Sequence, residues 1–269
     1  VQALVGRGLQ VRALVHRDEQ VPALEGLGAS DVMAGDMRSQ ASMDAAVKGV
    51  RAVYHICPNM SRDEVAMGQA VINSSRAAAV ELIVYHSVLH PQVEAMPHHW
   101  NKMRVEERLF ESGLPVTVLQ PAAYMQNLLA HRQSILEKGV YPVPYAVDSV
   151  LSLVDLADVG EVAARVLAQP GHAGATYELV GVAGLTQVEV ANVLGRQLGQ
   201  AVRAQAVPLD EWQAGARASG LGEAQIETLV KMFQYYDNHG FVGNSNVLGW
   251  LLGRAPASLE EFVAREFGA

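Results

Sequence analysis

The sequence predicts an α/β fold: a doubly wound parallel sheet followed by a small C-terminal α/β lobe. Short apolar runs at 11–15, 31–33, 52–56, 82–87 and 116–120 alternate with stretches of helical spacing, the rhythm of parallel strands joined by crossover helices on both faces. That rhythm changes after Pro121, where longer helical stretches and a loop rich in Pro and Tyr take over. With 269 residues, half of them hydrophobic and 18% charged, the chain is long enough for a large core and ordinary for a globular protein. The boundaries expected are a nucleotide-type domain over 1–122 and a lobe over 123–269, with some lobe segments returning to the first core.

Taken in order, VQALVGRG (1–8) reads as the end of a helix closed by Gly6 and Gly8, and VRALV (11–15) alternates like a strand. Helices are expected over 21–27, 42–48, 64–79 and 100–112, with the last one opening near Pro97 after a loop rich in His and Pro. Beyond Pro121 the pattern predicts a helix over 123–138 and a loop over 141–150. Asp155-Leu156-Ala157-Asp158 resembles a capping box that opens a helix to Ala168. ATYELVG (175–181) is a strand, Thr186 with Glu189 caps a helix to Leu198, 223–240 is helical, and Ser258 with Glu261 caps the C-terminal helix.

Composition narrows the function. The net charge of −8 carries no basic tract, which argues against direct nucleic-acid binding. No run of about 18 apolar residues occurs, so no membrane-spanning helix is expected. The single Cys57 forms no internal disulfide, and with no charged-then-apolar leader at the start the expectation is a cytoplasmic protein.

The chemistry concentrates between residues 82 and 127. Helical spacing places His98, Lys102, Val105 and Leu109 on one stripe. Two apolar members turn the stripe inward, taking an imidazole and an ammonium with it, and a cation held there needs a partner. A dinucleotide site also needs a strand, a glycine-rich turn and a helix N-terminus that meets the pyrophosphate. Gly6-Arg7-Gly8 follows a helix and is a terminator instead. If Val1 lies in a first crossover helix, a strand and glycine turn of about 15 residues are expected ahead of it, and without them cofactor affinity should fall severely.

His16 and Arg17 stand where an acidic residue would bind a ribose 2′-hydroxyl. A basic residue there suits a 2′-phosphate, hence NADP over NAD, and a solvated loop arginine is the alternative. Asp36 either contacts an adenine or caps the next turn. The histidines at 86, 90, 98 and 99 show no metal-ligand spacing, and no GxSxG occurs.

These segments resemble the NmrA-like group of atypical short-chain dehydrogenases. The likeness is carried by VRALVHR (11–17), GDM (35–37), HICPN (55–59), YHSVLHP (85–91), HHWNKMRVEERL (98–109), VTVLQPAAYMQNLL (116–129), LSLVDLADVGEVAARVL (151–167) and GRAPASLEEFVAREF (253–267). It implies a Rossmann fold that binds NAD(P) and carries a small C-terminal lobe, and the basic residues at 16 and 17 favour NADP (NADPH) over NAD. Some members reduce quinones or carbonyl-type substrates; others are redox sensors that bind a regulatory protein partner.

The Ser, Tyr and Lys of ordinary short-chain dehydrogenases map to Ser87, His98 and Lys102, so a histidine stands in the tyrosine position. It either acts as the general acid or marks a site that only binds cofactor. The resemblance further implies cofactor contacts at Cys57, Pro58 and Asn59, and at Pro121 and Tyr124. The expected function is therefore NAD(P)H-dependent reduction of a small quinone- or carbonyl-type substrate, with a cofactor-sensing regulator as the alternative. Oligomeric state is not legible.

Overall fold

A computed structural model of the chain describes residues 1–268. Its strands are β1 Arg12–Val15, β2 Asp31–Ala34, β3 Ala52–His55, β4 Leu82–His86, β5 Val116–Pro121, β6 Ala123–Tyr124, β7 Val140–Val143, β8 Val150–Val154, β9 Thr176–Leu179, β10 Val182–Thr186 and β11 Arg203–Ala206. The α-helices are α1 Gln2–Val5, α2 Val21–Gly26, α3 Gln40–Val47, α4 Glu64–Ala77, α5 Pro97–Glu111, α6 Arg132–Lys138, α7 Leu156–Ala168, α8 Gln187–Leu198, α9 Leu209–Ala218, α10 Glu223–His239, α11 Asn246–Leu252 and α12 Leu259–Phe267. None of these helices is long and apolar enough to cross a membrane. The fold is the α/β, Rossmann-type class expected.

The described chain divides into two compact units. The first comprises Val1–Ser87, Asn101–Leu119 and Gly160–Tyr177; the second comprises Val88–Trp100, Gln120–Val159 and the stretch from Glu178 onward.

In the first unit β3, β4 and β5 run parallel, with His55 opposite Tyr85 and Tyr85 opposite Val118, and β9 continues the sheet beyond β5. Alternation puts Ile83, Tyr85, Val116 and Val118 on one face, where they meet Ile72 of α4 and Val105 and Leu109 of α5. Gly68 lets those two helices close up, because a Cβ there would sit 2.7 Å from Val105 Cγ1. Helix α4 stops at Ala77, and Ala79 turns the chain with a left-handed φ of 53°.

The β1–β2 pair is also parallel but forms a separate two-stranded sheet. A cavity of about 960 Å³ lies between β1 and β3, lined by Val11, Leu14, Val53, Tyr54 and Val71 among others.

The second unit holds a three-stranded sheet, β10-β8-β6, and the parallel pair β11-β7. Met125, Ile135, Tyr141, Leu194, Phe262 and Phe267 lie in its core. The capping boxes expected at Thr186 and Ser258 are present: each hydroxyl accepts the N–H three residues on, and Glu189 and Glu261 reach back.

Two expectations need correction here. The predicted helix over 123–138 is a two-residue strand, a 3₁₀ segment Met125–His131 and then α6. Tyr124 is drawn into pairing with Val154, a tertiary contact that overrides local propensity. The predicted loop over 141–150 begins as β7, with Tyr141 and Val143 buried. Proline is tolerated in it because the strand pairs on one side only, with β11.

Candidate active site

The inward stripe of α5 is present, with His98, Lys102, Val105 and Leu109 all buried. Pro97 opens the helix, a position where its missing N–H is harmless. Lys102 points into the first unit, and its Nζ donates to Glu64 Oε1 at 2.9 Å and to the His86 carbonyl at 3.4 Å. The Lys102 side chain is 10% exposed and that of Glu64 only 2%.

The sequence reading did not single out Glu64, although its signal was available. Glu64, Met67, Gly68, Val71, Ile72 and Ser75 form the buried stripe of α4, so an acid heads an otherwise apolar face. Tyr85 was missed as well. Its hydroxyl donates to the same Glu64 oxygen at 2.8 Å, and Lys102 Nζ lies 5.5 Å from the centre of its ring. Burial, reinforced by the neighbouring Glu64 charge, pushes the Tyr85 phenol far up, so the ring donates to the carboxylate and stays neutral.

Around this centre the histidines are held neutral. Burial lowers His55 to about 3 and His86 to about 4, in each case with help from the Lys102 charge. His55 stacks on Tyr85 at 5.4 Å, and Tyr54 Oη lies 2.6 Å from His86 Nδ1.

Ser87 is buried, and its hydroxyl donates to the carboxylate of Glu106, one helical turn beyond Lys102. Cys57 is buried with Sγ 3.4 Å from Met67 Sδ. Burial first and the Glu64 charge second push its thiol up, which makes it inert as a nucleophile.

Pro58 and Asn59, just beyond the end of β3, are exposed. At the end of β1, His16 and Arg17 are also exposed, and the backbone N–H groups of both donate to Gln20 Oε1. Asp36, beyond β2, is gripped by the Arg38 guanidinium and accepts the Arg38 N–H, which holds its carboxyl at about 2.

In the second unit Pro121 is buried and Tyr124 partly so, with burial raising the Tyr124 phenol to about 12. His98 packs edge-on against His99 at 4.5 Å, and His99 in turn meets Phe241. The structure thus gathers Lys102, Ser87 and Cys57 in the first unit and assigns His98, Pro121 and Tyr124 to the second. Among the described residues no group of three His, Cys, Asp or Glu side chains is placed to hold a metal ion.

An ammonium has three N–H donors, and Lys102 commits two of them to Glu64 and His86. One is left to meet a hydroxyl brought to the C-terminal edge of the sheet, where open α/β sheets hold their ligands. The residues therefore fit a dinucleotide whose ribose takes that third donor.

Residues 1–266 match the family described as the NmrA-like family. Quinone oxidoreductase 2 of Escherichia coli is 28% identical over 96% of this chain and 90% of its own length. NAD(P)H azoreductase of Xenophilus azovorans is 29% identical over 100% of this chain and 94% of its own. The crystal structure of the Escherichia coli NADPH-dependent quinone oxidoreductase QOR2 with NADPH superposes with a TM-score of 0.85, at 28% identity, covering 99% of this chain and 94% of that one.

Proposed function

Because the chain belongs to the NmrA-like family, we propose that it is an NAD(P)H-dependent reductase of small quinone- or carbonyl-type acceptors, with NADPH preferred to NADH. The observation that carries this reading is the likeness, over nearly the whole of both chains, to an NADPH-dependent quinone oxidoreductase. The exposed His16 and Arg17 at the end of β1 support the cofactor preference, since they can meet a 2′-phosphate. The first unit then serves as the nucleotide-binding body and the second as the substrate lobe.

NADPH, when bound, supplies the hydride. Lys102 would hold the nicotinamide ribose with its third N–H and would supply a positive charge near the acceptor oxygen as it becomes anionic. His98, one turn earlier on the same helix, or an ordered water delivers the proton that completes the two-electron reduction. Ser87 keeps the end of β4 against α5 through Glu106. Asn59 and Pro58 border the nucleotide with their backbone, and Pro121 and Tyr124 flank the acceptor.

A second reading, a cofactor-sensing regulator, is favoured by one feature: His98 stands where related dehydrogenases carry tyrosine. Calorimetric titration with NADPH and NADH, on this chain and on a version extended by a strand and glycine turn, followed by a quinone panel, separates the two. Tight NADPH binding with turnover that collapses in Lys102→Ala supports the reductase. Tight binding with no turnover on any acceptor supports the sensor, and no binding in either version overturns both.

A further inference from the structure

The Lys102–Glu64 pair is an expensive way to hold a helix. Both charges are removed from water, and the desolvation of such a pair commonly cancels its attraction, so two apolar side chains of similar volume would serve stability as well or better. Yet the structure fixes Glu64 from several directions. It is the first residue of α4, where the helix dipole favours an anion. The Tyr85 hydroxyl and the Lys102 ammonium converge on one of its oxygens, at 2.8 and 2.9 Å. One turn along, the bare Cα of Gly68 sits against Val105, which sets the spacing of α4 and α5 at that level. Every one of these restraints bears on the position of a single ammonium.

We propose that Glu64 is the positioning residue of the site: it holds Lys102 turned so that one N–H faces the nucleotide ribose. Tyr85 acts one step further back by orienting the carboxylate. This rests on the role proposed above for Lys102.

Of the groups facing Lys102, Glu64 is the anion within hydrogen-bond distance of its ammonium. His55 of β3, Tyr85 and His86 of β4, and Cys57 beyond β3 are neutral at working pH. Glu106, one turn along α5, accepts the Ser87 hydroxyl. Removing the Glu64 carboxylate therefore removes the acceptor that fixes the direction of the ammonium.

The test compares Glu64→Gln, Glu64→Asp and Tyr85→Phe with the parent protein, measuring NADPH affinity and the separate kcat and KM for a quinone. Glu64→Gln should weaken NADPH at least tenfold and lower kcat/KM by more than KM alone explains. Glu64→Asp keeps the carboxylate but draws it back by one methylene, so it should rescue part of the loss, with affinity down only several-fold and kcat near the parent's. Tyr85→Phe should lie between the parent and Glu64→Asp.

A Glu64→Gln protein that is folded by circular dichroism and has the parent's affinity, kcat and KM overturns the proposal. If Glu64→Gln does not fold, a Glu64→Asp protein indistinguishable from the parent overturns it equally. Lys102→Ala separates this failure from that of the functional reading. If Lys102→Ala leaves NADPH binding intact, the role of Lys102 fails; if it abolishes binding while the Glu64 variants do not change it, only the positioning role fails.

Discussion

Glu64 in the first unit and Asp155 in the second are both shut away from water at the start of a helix, α4 and α7, yet they are neutralised differently. Glu64 faces Lys102, which is itself buried. Asp155 faces Arg265, which is 45% exposed, and its neighbour Asp158 faces Arg254, which is 47% exposed. In the second unit the guanidinium lies at the water boundary, so the cation keeps part of its hydration while its fork satisfies the acid. Burial pulls the Asp155 carboxyl up, but the Ala157 N–H, the Gln126 amide and Arg265 outweigh it and hold the acid low. Asp158 also accepts the Ala257 N–H. Those two acids tie the C-terminal segment down. The dry pair of the first unit ties down little that an apolar pair would not, and this separates a site from a clasp.

The largest effect should come from breaking the dry pair on one side. Lys102→Met strands the Glu64 carboxylate and should cost about 3–5 kcal/mol, read as a drop in the urea midpoint. Replacing both ends, Glu64→Leu with Lys102→Met, should return most of that stability with no return of NADPH binding. If the double variant is no more stable than the single one, the pair is structural and the contrast with the second unit fails.

In the clasp, Asp155→Ala removes three partners from the head of α7 and should cost about 2–3 kcal/mol. Arg265→Ala, at a half-exposed guanidinium, should cost about 1 kcal/mol or less. Neither should alter the affinity for NADPH. A change in affinity larger than the change in stability would count against treating these residues as structural.

Gly68→Ala tests the spacing that brings Glu64 to Lys102. Alanine is a better helix former, so an unhindered site would gain stability. The 2.7 Å approach to Val105 predicts a loss of about 2 kcal/mol from overpacking, partly relieved by adding Val105→Ala. A stabilised Gly68→Ala would show that α4 and α5 are free to adjust.

The same contrast shows how far the sequence could be read. The strands of the first unit are short, apolar and punctuated by helices, so local pattern alone placed β1 to β5 and α2 to α5 to within a few residues. Lys102 was legible because a cation on an apolar stripe breaks that pattern. Its partner was not, because pairing Glu64 with Lys102 requires knowing that α4 and α5 lie on one face of the sheet, and no local signal carries that. β7 and the β6 segment form through partners far along the chain, β11 and β8, so propensity read them as loop and helix. The resemblance supplied Ser87, the reading of His98 as the tyrosine position and the flanking cofactor positions, but the bond from Ser87 to Glu106 comes from the fold alone.

The smallest and most conditional effect is on acid stability, and it too should divide the units. An unfolded histidine takes up its proton near pH 6.5, whereas His55 and His86 hold off until about 3 and about 4. Between those values the unfolded chain binds more protons, so stability is complete above about pH 6.5 and falls as the pH drops through this window. Asp155 acts with the same sign but in a lower window: its lowered carboxyl keeps its contribution until the pH falls below the ordinary carboxylate range near 4. Acidification should therefore loosen the first unit before the clasp of the second, visible as earlier loss of amide-exchange protection around β3 and β4 than around α12. His55→Phe, which keeps a ring against Tyr85, should recover up to about 2 kcal/mol at pH 5 and none at pH 8. Equal recovery at both values would show that the histidine acts through packing and that its protonation does not set the acid limit.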